Sequence, residues 1–249
     1  MSLYQNYYGV IYFDGGHSLT ANDRSTYSNM TASDIAQMSA DQLMQIWGGE
    51  TWESEIHIDW LPDAAFAGFT SSNIQGISAQ YFSNYLRPSQ VGKIGASAFS
   101  GLSSDQIHAL TLAQINVLSS AAIQSINTGA IAGLTANQLG YADTASHTVF
   151  QDLSSAQIGV IATATIAALS SSQVTTLSPT QINVLSSSAI QSINAGAIAG
   201  LNAAQLGYRD ANGSYSEIGN TVLQDLSSTQ IAQINSGAVA GLDLSLIHI

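Results

Sequence analysis

The chain has 249 residues, 45% of them hydrophobic and 8% charged, with four basic side chains against sixteen acidic ones and a net charge of −12. A globular domain ordinarily carries about a quarter charged residues, so this surface must be dressed with Ser, Thr, Asn, Gln and Gly, as in secreted and cell-surface material. The scattered cations Arg24, Arg87, Lys93 and Arg209 exclude nucleic-acid binding through a basic face and an electrostatic grip on anionic membranes, and the absence of cysteine excludes disulfides, thiolate metal sites and Cys nucleophiles.

At the start of the chain, Tyr7 to Phe13 is a short apolar run without a basic flank, a poor match to a secretory signal. Residues 1–25 read as a small irregular N-terminal cap. Over 26–56 a faint eight-residue register of apolar pairs sets in at Tyr27/Met30, Ile35/Met38 and Leu43/Ile46, then breaks from Trp47 to Ile56 in an acidic, Trp-rich stretch. Residues 57–243 carry the register onward, through Ile58/Leu61, Phe66/Phe69, Ile74/Ile77, Phe82/Tyr85, Val91/Ile94 and Phe99/Leu102. It is strongest where Ile107, Ile115, Ile123, Ile131 and Leu139 follow at intervals of eight. Gln114 to Tyr141 recurs as Gln181 to Tyr208 with four differences in 28 positions and an offset of 67. Eight octads and a three-residue insertion at Ser146 to Thr148 make up that offset, and the second copy carries nine extra residues, Gly213 to Thr221, at the same place. No stretch reaches the eighteen or so apolar residues of a membrane span.

An apolar pair repeating every eight residues fits neither a continuous helix, whose stripe would drift by roughly 80° per repeat, nor a continuous strand, where residues three apart face opposite sides. Each octad must be one short element and a corner. The pairs Ser103/Gln106, Thr111/Gln114, Thr135/Gln138, Ser154/Gln157, Ser170/Gln173, Ser178/Gln181 and Ser227/Gln230 have capping-box spacing, and Pro88 and Pro179 fall on the first helical position. The expected fold is therefore all-α, a solenoid of short two-turn helices in eight-residue repeats. A leucine-rich-repeat-like or β-solenoid is the alternative, weakened by the missing L-x-L strand signature.

Runs such as LSPTQINVLSSSAIQSI resemble the short-helix superhelical repeats of the mesothelin, stereocilin and otoancorin family, and the LTxxQIxxL repeats of large bacterial surface adhesins. The resemblance covers roughly residues 26 to 243, and it implies an extracellular adhesion or matrix role and no catalytic residues. Residues 244–249, Leu244 to Ile249, resemble a translated sequencing adapter, which implies a non-native tail on the N-terminal piece of a longer protein.

Two stretches could bind something. Trp52, Glu53, Glu55, Asp59 and Trp60 combine carboxylates for a cation with aromatic faces for a sugar, against a plainer reading as an irregular plug where the register slips. Asp210, Asn212 and Glu217 offer hard oxygen ligands on a Gly-permitted turn, as in a Ca²⁺ loop, against an ordinary Asn-Gly turn. The histidines His17, His57, His108, His147 and His248 are isolated, and no serine sits in a G-x-S-x-G elbow. The expectation is a non-enzymatic structural or interaction module without cofactor, Ca²⁺ aside, that meets protein or glycan ligands at an extracellular or cell-surface location. A Ca²⁺-dependent or carbohydrate-binding lectin-like region is the alternative; neither nucleic acid nor membrane insertion is expected.

Overall fold

A computed structural model of the chain describes residues 3–5, 11–13, 17–18, 27–47, 60–141, 148–207 and 222–242. They fall in two compact units, Met1–Gly133 and Leu134–Ile249. Outside a small sheet at the start, the described elements are short helices stacked as a superhelical repeat.

The first unit opens with β1 (Leu3–Gln5), β2 (Ile11–Phe13) and β3 (His17–Ser18), an antiparallel meander with Tyr4 opposite Tyr12 and Phe13 opposite His17. The sequence suggested only an irregular cap there. After it the octads take over, most of their helices having four to six residues. A helix so short is marginal in water on its own, and its ends are fixed by side chains. All seven capping boxes read from the sequence are formed, and Pro88 and Pro179 lie in the first turn. Thr31 with Asp34, Thr148 with Gln151 and Asn202 with Gln205 add three more.

Several helices stop where the second aliphatic residue of the pair turns extended. Leu110 (φ −60°, ψ 127°), Ile126 (φ −60°, ψ 128°) and Leu177 (φ −66°, ψ 129°) are extended, and the Ser, Thr or Asn that follows is extended too. Two extended residues turn the chain into the next cap, so the corner is built from a buried apolar side chain and a hydroxyl or amide and needs no glycine. The helices Asp63–Gly68 and Ala96–Gly101 wind instead as 3₁₀, each preceded by a residue, Pro62 or Gly95, that has no polar side chain to cap the helix.

Helices pack on those three octads further along. In the first unit Ser104–Ala109 lies on Thr128–Ile131 and Ala96–Gly101 on Ser120–Ser125; in the second, Thr163–Ala167 lies on Ser187–Ser192 and Pro179–Asn183 on Ala203–Leu206. The apolar pairs fill the interior, with Phe66, Phe82, Phe99 and Phe150 the bulkiest residues beside Tyr27. One pair departs from the expected register: Tyr85 is 45% exposed, and Leu86, at 5%, takes its place. The amides of both Tyr85 and Leu86 bond the Tyr81 carbonyl, a wider turn that carries the chain one residue further before Arg87-Pro88 opens the next helix. Among the described residues no helix is long and apolar enough to cross a membrane.

Candidate functional site

The most distinctive polar chemistry runs along the stack rather than in one cleft. In each complete capping box the N3 glutamine accepts the cap residue's N–H on Oε1, as Ser103 N–H donates to Gln106 at 2.8 Å and Ser178 N–H to Gln181 at 2.9 Å. In most of these boxes the same side chain then turns its Nε2 inward to carbonyls of the coil before it. Gln114 donates to Phe82 and Leu86 at 2.6 Å each, Gln181 to Phe150 at 2.6 Å and Leu153 at 3.0 Å, and Gln205 to Val174 at 3.0 Å and Leu177 at 2.7 Å. Asn73 reaches Ile35 and Met38 in the same way, while Asn127, capping its own helix, reaches Ser100 and Leu102. Each such amide satisfies an orphan N–H at a helix start and binds corner carbonyls of the preceding coil, which burial would otherwise leave unpaired at a cost of about 1–3 kcal/mol apiece.

A groove of about 450 Å³ opens between coils of the first unit, lined by Gln75, Ser78, Ser100, Ser103, Asp105 and Asn127 over an apolar floor that includes Ile77 and Leu102. The hydroxyl of Ser103 accepts the Gln106 N–H, and the Asn127 amide is held by Ser100 and Leu102, so this wall is rigid. Among the described residues no side-chain hydrogen bond engages the Ser78 hydroxyl or the Asp105 carboxylate, both of which line the groove. The groove can hold a polar ligand by hydrogen bonds, and none of its lining residues is a histidine that could act as a general base.

Of the residues singled out in the sequence, Trp60 is half-buried and meets Tyr27 edge-on, ring centroids 6.3 Å apart at 60°. Trp52, Glu53, Glu55 and Asp59, like Asp210, Asn212 and Glu217, lie outside the described residues. Among the described residues no group of three or more His, Asp or Glu side chains is placed to hold a metal ion. His108 is exposed and its Nδ1 lies 3.2 Å from the Gly133 carbonyl, another link between coils. The ion pair Arg87 Nη2 to Asp63 Oδ1, 2.8 Å, joins the starts of two helices. Bonds from Arg87 and Ser89 hold the Asp63 carboxyl below its ordinary value despite some desolvation.

Two features escaped the sequence reading, although both leave a signal in it. A capping box accepts Glu as readily as Gln, yet Gln106, Gln114, Gln138, Gln157, Gln173, Gln181, Gln205 and Gln230 are all amides. An amide, unlike an ionised carboxylate, can accept at the cap and donate to a carbonyl at once. The other signal is Ala-x-Ala/Ser-Gly-Phe/Leu, centred on Gly68, Gly101, Gly133, Gly200 and Gly241, at spacings of 33, 32, 67 and 41 residues. A Cβ on Gly133 would lie 2.0 Å from the Ser104 carbonyl oxygen, and one on Gly200 2.4 Å from that of Ser171. The spacings of 33 and 32 residues correspond to four octads, so at Gly101 and Gly133 the backbone lies against the coil four octads before, while the octad between Gly133 and Gly200 carries Ala168 at that place. No family model, curated protein or solved structure matches this chain.

Proposed function

We propose that this chain is a non-enzymatic structural and interaction module, part of a large secreted bacterial surface protein with a role in adhesion or matrix building. The observation that carries the reading is where the polar side chains go. Glutamine and asparagine amides, with Ser and Thr hydroxyls, are bound into caps and coil-to-coil bridges, so the groups that could do chemistry instead hold the frame. The exterior that remains is rich in hydroxyls and amides and poor in charge, and it suits contact with hydrated protein or glycan surfaces more than turnover of a bound substrate.

The test is made on the producing cell. Antibodies against the purified chain should label intact cells, and deleting its gene should reduce their attachment to glycan- or protein-coated surfaces. Labelling that requires permeabilised cells would remove the surface assignment. Unchanged attachment by a deletion strain would remove the adhesive one.

A further inference from the structure

The groove of the first unit runs along a column of corners. Ser78, Ser103 and Asn127 each open a helix on one of three neighbouring coils, and all three line the groove. Ser103 and Asn127 are bound into the frame, their side-chain oxygens accepting the Gln106 and Ala130 N–H groups. Ser78 holds the same place before Ala79–Asn84 and makes no cap bond there. Beside these groups stands Asp105, an exposed carboxylate, and no Lys, Arg or His lines the groove with it. His108, one turn further along the same helix, has its Nδ1 3.2 Å from the Gly133 carbonyl instead.

The second copy of the repeat provides a comparison. Shifted by 67 residues, Ser103, Gln106 and Asn127 become Ser170, Gln173 and Asn194, whereas Gly101 becomes Ala168 and Asp105 becomes Ser172. The helix Ser171–Thr176 forms its capping box with Ser172 in that position. The frame therefore recurs without the carboxylate, and Asp105 is an addition to it at the place where the groove opens.

We infer that the groove binds a primary ammonium carried on an aliphatic stem, and that its occupant is a lysine side chain of a partner protein. An ammonium has three donors and no acceptor, and the Asp105 carboxylate with the Ser78 and Ser103 oxygens supplies acceptors only a short chain of methylenes away from an apolar floor. Such stems lie along apolar surface while the charged head stays polar, and Ala79, Gly101 and Leu102 provide that surface. The lining holds a carboxylate and no cation, within a chain of net charge −12, which favours a cationic ligand over an anionic one. No aromatic ring lines the groove for a sugar to lie on. This inference rests on the interaction-module reading and gives the chemistry of its partner.

Backbone amide NMR of the full chain, titrated with Nα-acetyl-lysine methylamide at low ionic strength, is the test. The wild type should show saturable shifts confined to Ser78, Ala79, Asn127 and the stretch from Gly101 to Asp105, and added salt should weaken the binding by screening the ionic contact. Nα-acetyl-norleucine methylamide, which keeps the stem and lacks the ammonium, should give no saturable shift. Asp105→Ser, which installs the residue of the second copy, should keep the wild-type circular dichroism and weaken binding of the lysine amide about fivefold, the scale of one partly exposed ion pair. Shifts that do not saturate, that fall elsewhere along the chain, or that persist at equal affinity in Asp105→Ser overturn the site. Binding of 1,5-diaminopentane at least tenfold tighter than the lysine amide would make the occupant a free polyamine, and tighter binding of maltose would make it a glycan; either result overturns the lysine assignment. None of these outcomes touches the surface-module reading, which stands or falls on cell labelling and attachment.

Discussion

At the scale of single residues, the buried glutamine amide decides whether coils hold together. Gln205 is buried, takes the Asn202 N–H at 2.9 Å and gives its own protons to Val174 and Leu177. Replacing it by Glu preserves shape and cap acceptor but removes the NH₂ and buries a charge against carbonyl oxygens. Such a carboxyl is held protonated in the folded state, because only the protonated form can donate; its folded pKa is therefore raised above the ordinary value of about 4.3. The sign follows: Gln205→Glu should approach wild-type stability below about pH 4 and lose it as the pH rises through the folded value, reaching a deficit of about 3 kcal/mol or more near neutrality. Denaturant midpoints measured across that range provide the check, and a deficit independent of pH would show that the amide does not sit between carbonyls. Asp63 behaves in the opposite sense. Its lowered value means that the contribution of its pair with Arg87 is present above the ordinary carboxylate range and lost as pH falls through the lowered one, and at so exposed a position it should be small.

At the scale of the element, the octad was legible because three independent signals coincide in it: an apolar pair three apart, a hydroxyl cap, and a glutamine three residues after the cap. Local chemistry of this kind is written within eight residues and can be read there. The four-octad spacing of the glycines was not extracted, because its cause is a meeting of Gly133 with the Ser104 carbonyl 29 residues earlier, which no window of eight contains. The slip at Tyr85 is local: a turn between Tyr81 and Leu86 is wider by one residue and moves burial to Leu86, although an aromatic at the expected place looks correct in sequence. The groove was illegible for a different reason, since Ser78, Ser103 and Asp105 come together only when successive coils are laid side by side. The helix Pro179–Asn183 offers a test of the element itself. Ile182 and Leu185 are buried, while Asn183 is half-buried and its side chain makes no hydrogen bond among the described residues. Ile182→Ala or Leu185→Ala should cost roughly 2–5 kcal/mol, and Asn183→Ala no more than about 0.5 kcal/mol, by chemical denaturation. Equal costs at all three would leave the octad without energetic meaning.

At the scale of the whole molecule, coils that lean only on near neighbours make stability additive rather than global. Pro179–Asn183 packs on Ser155–Ile158 and on Ala203–Leu206. In Leu185→Ala, hydrogen exchange should quicken in those three helices, while amides as remote as Ala96–Gly101 keep wild-type protection. Uniform acceleration along the chain would reveal one cooperative core in place of a stack.

The amide bridges also constrain how the gene can change. Each amide reaches back between 25 and 40 residues, about one coil, to find its carbonyls. Deleting or duplicating a single octad would put the amides within about a coil after the change opposite the wrong corner, and next to Gly133 would set Ser125 or Tyr141 at the place where glycine meets a carbonyl. Adding or removing four octads restores both alignments at once. Viable length variants should therefore differ in steps of about one coil, and the 67-residue duplication in this chain, two coils with a short insertion, has the size that rule allows. Copy number is the cheap variable here, and phase is the guarded one.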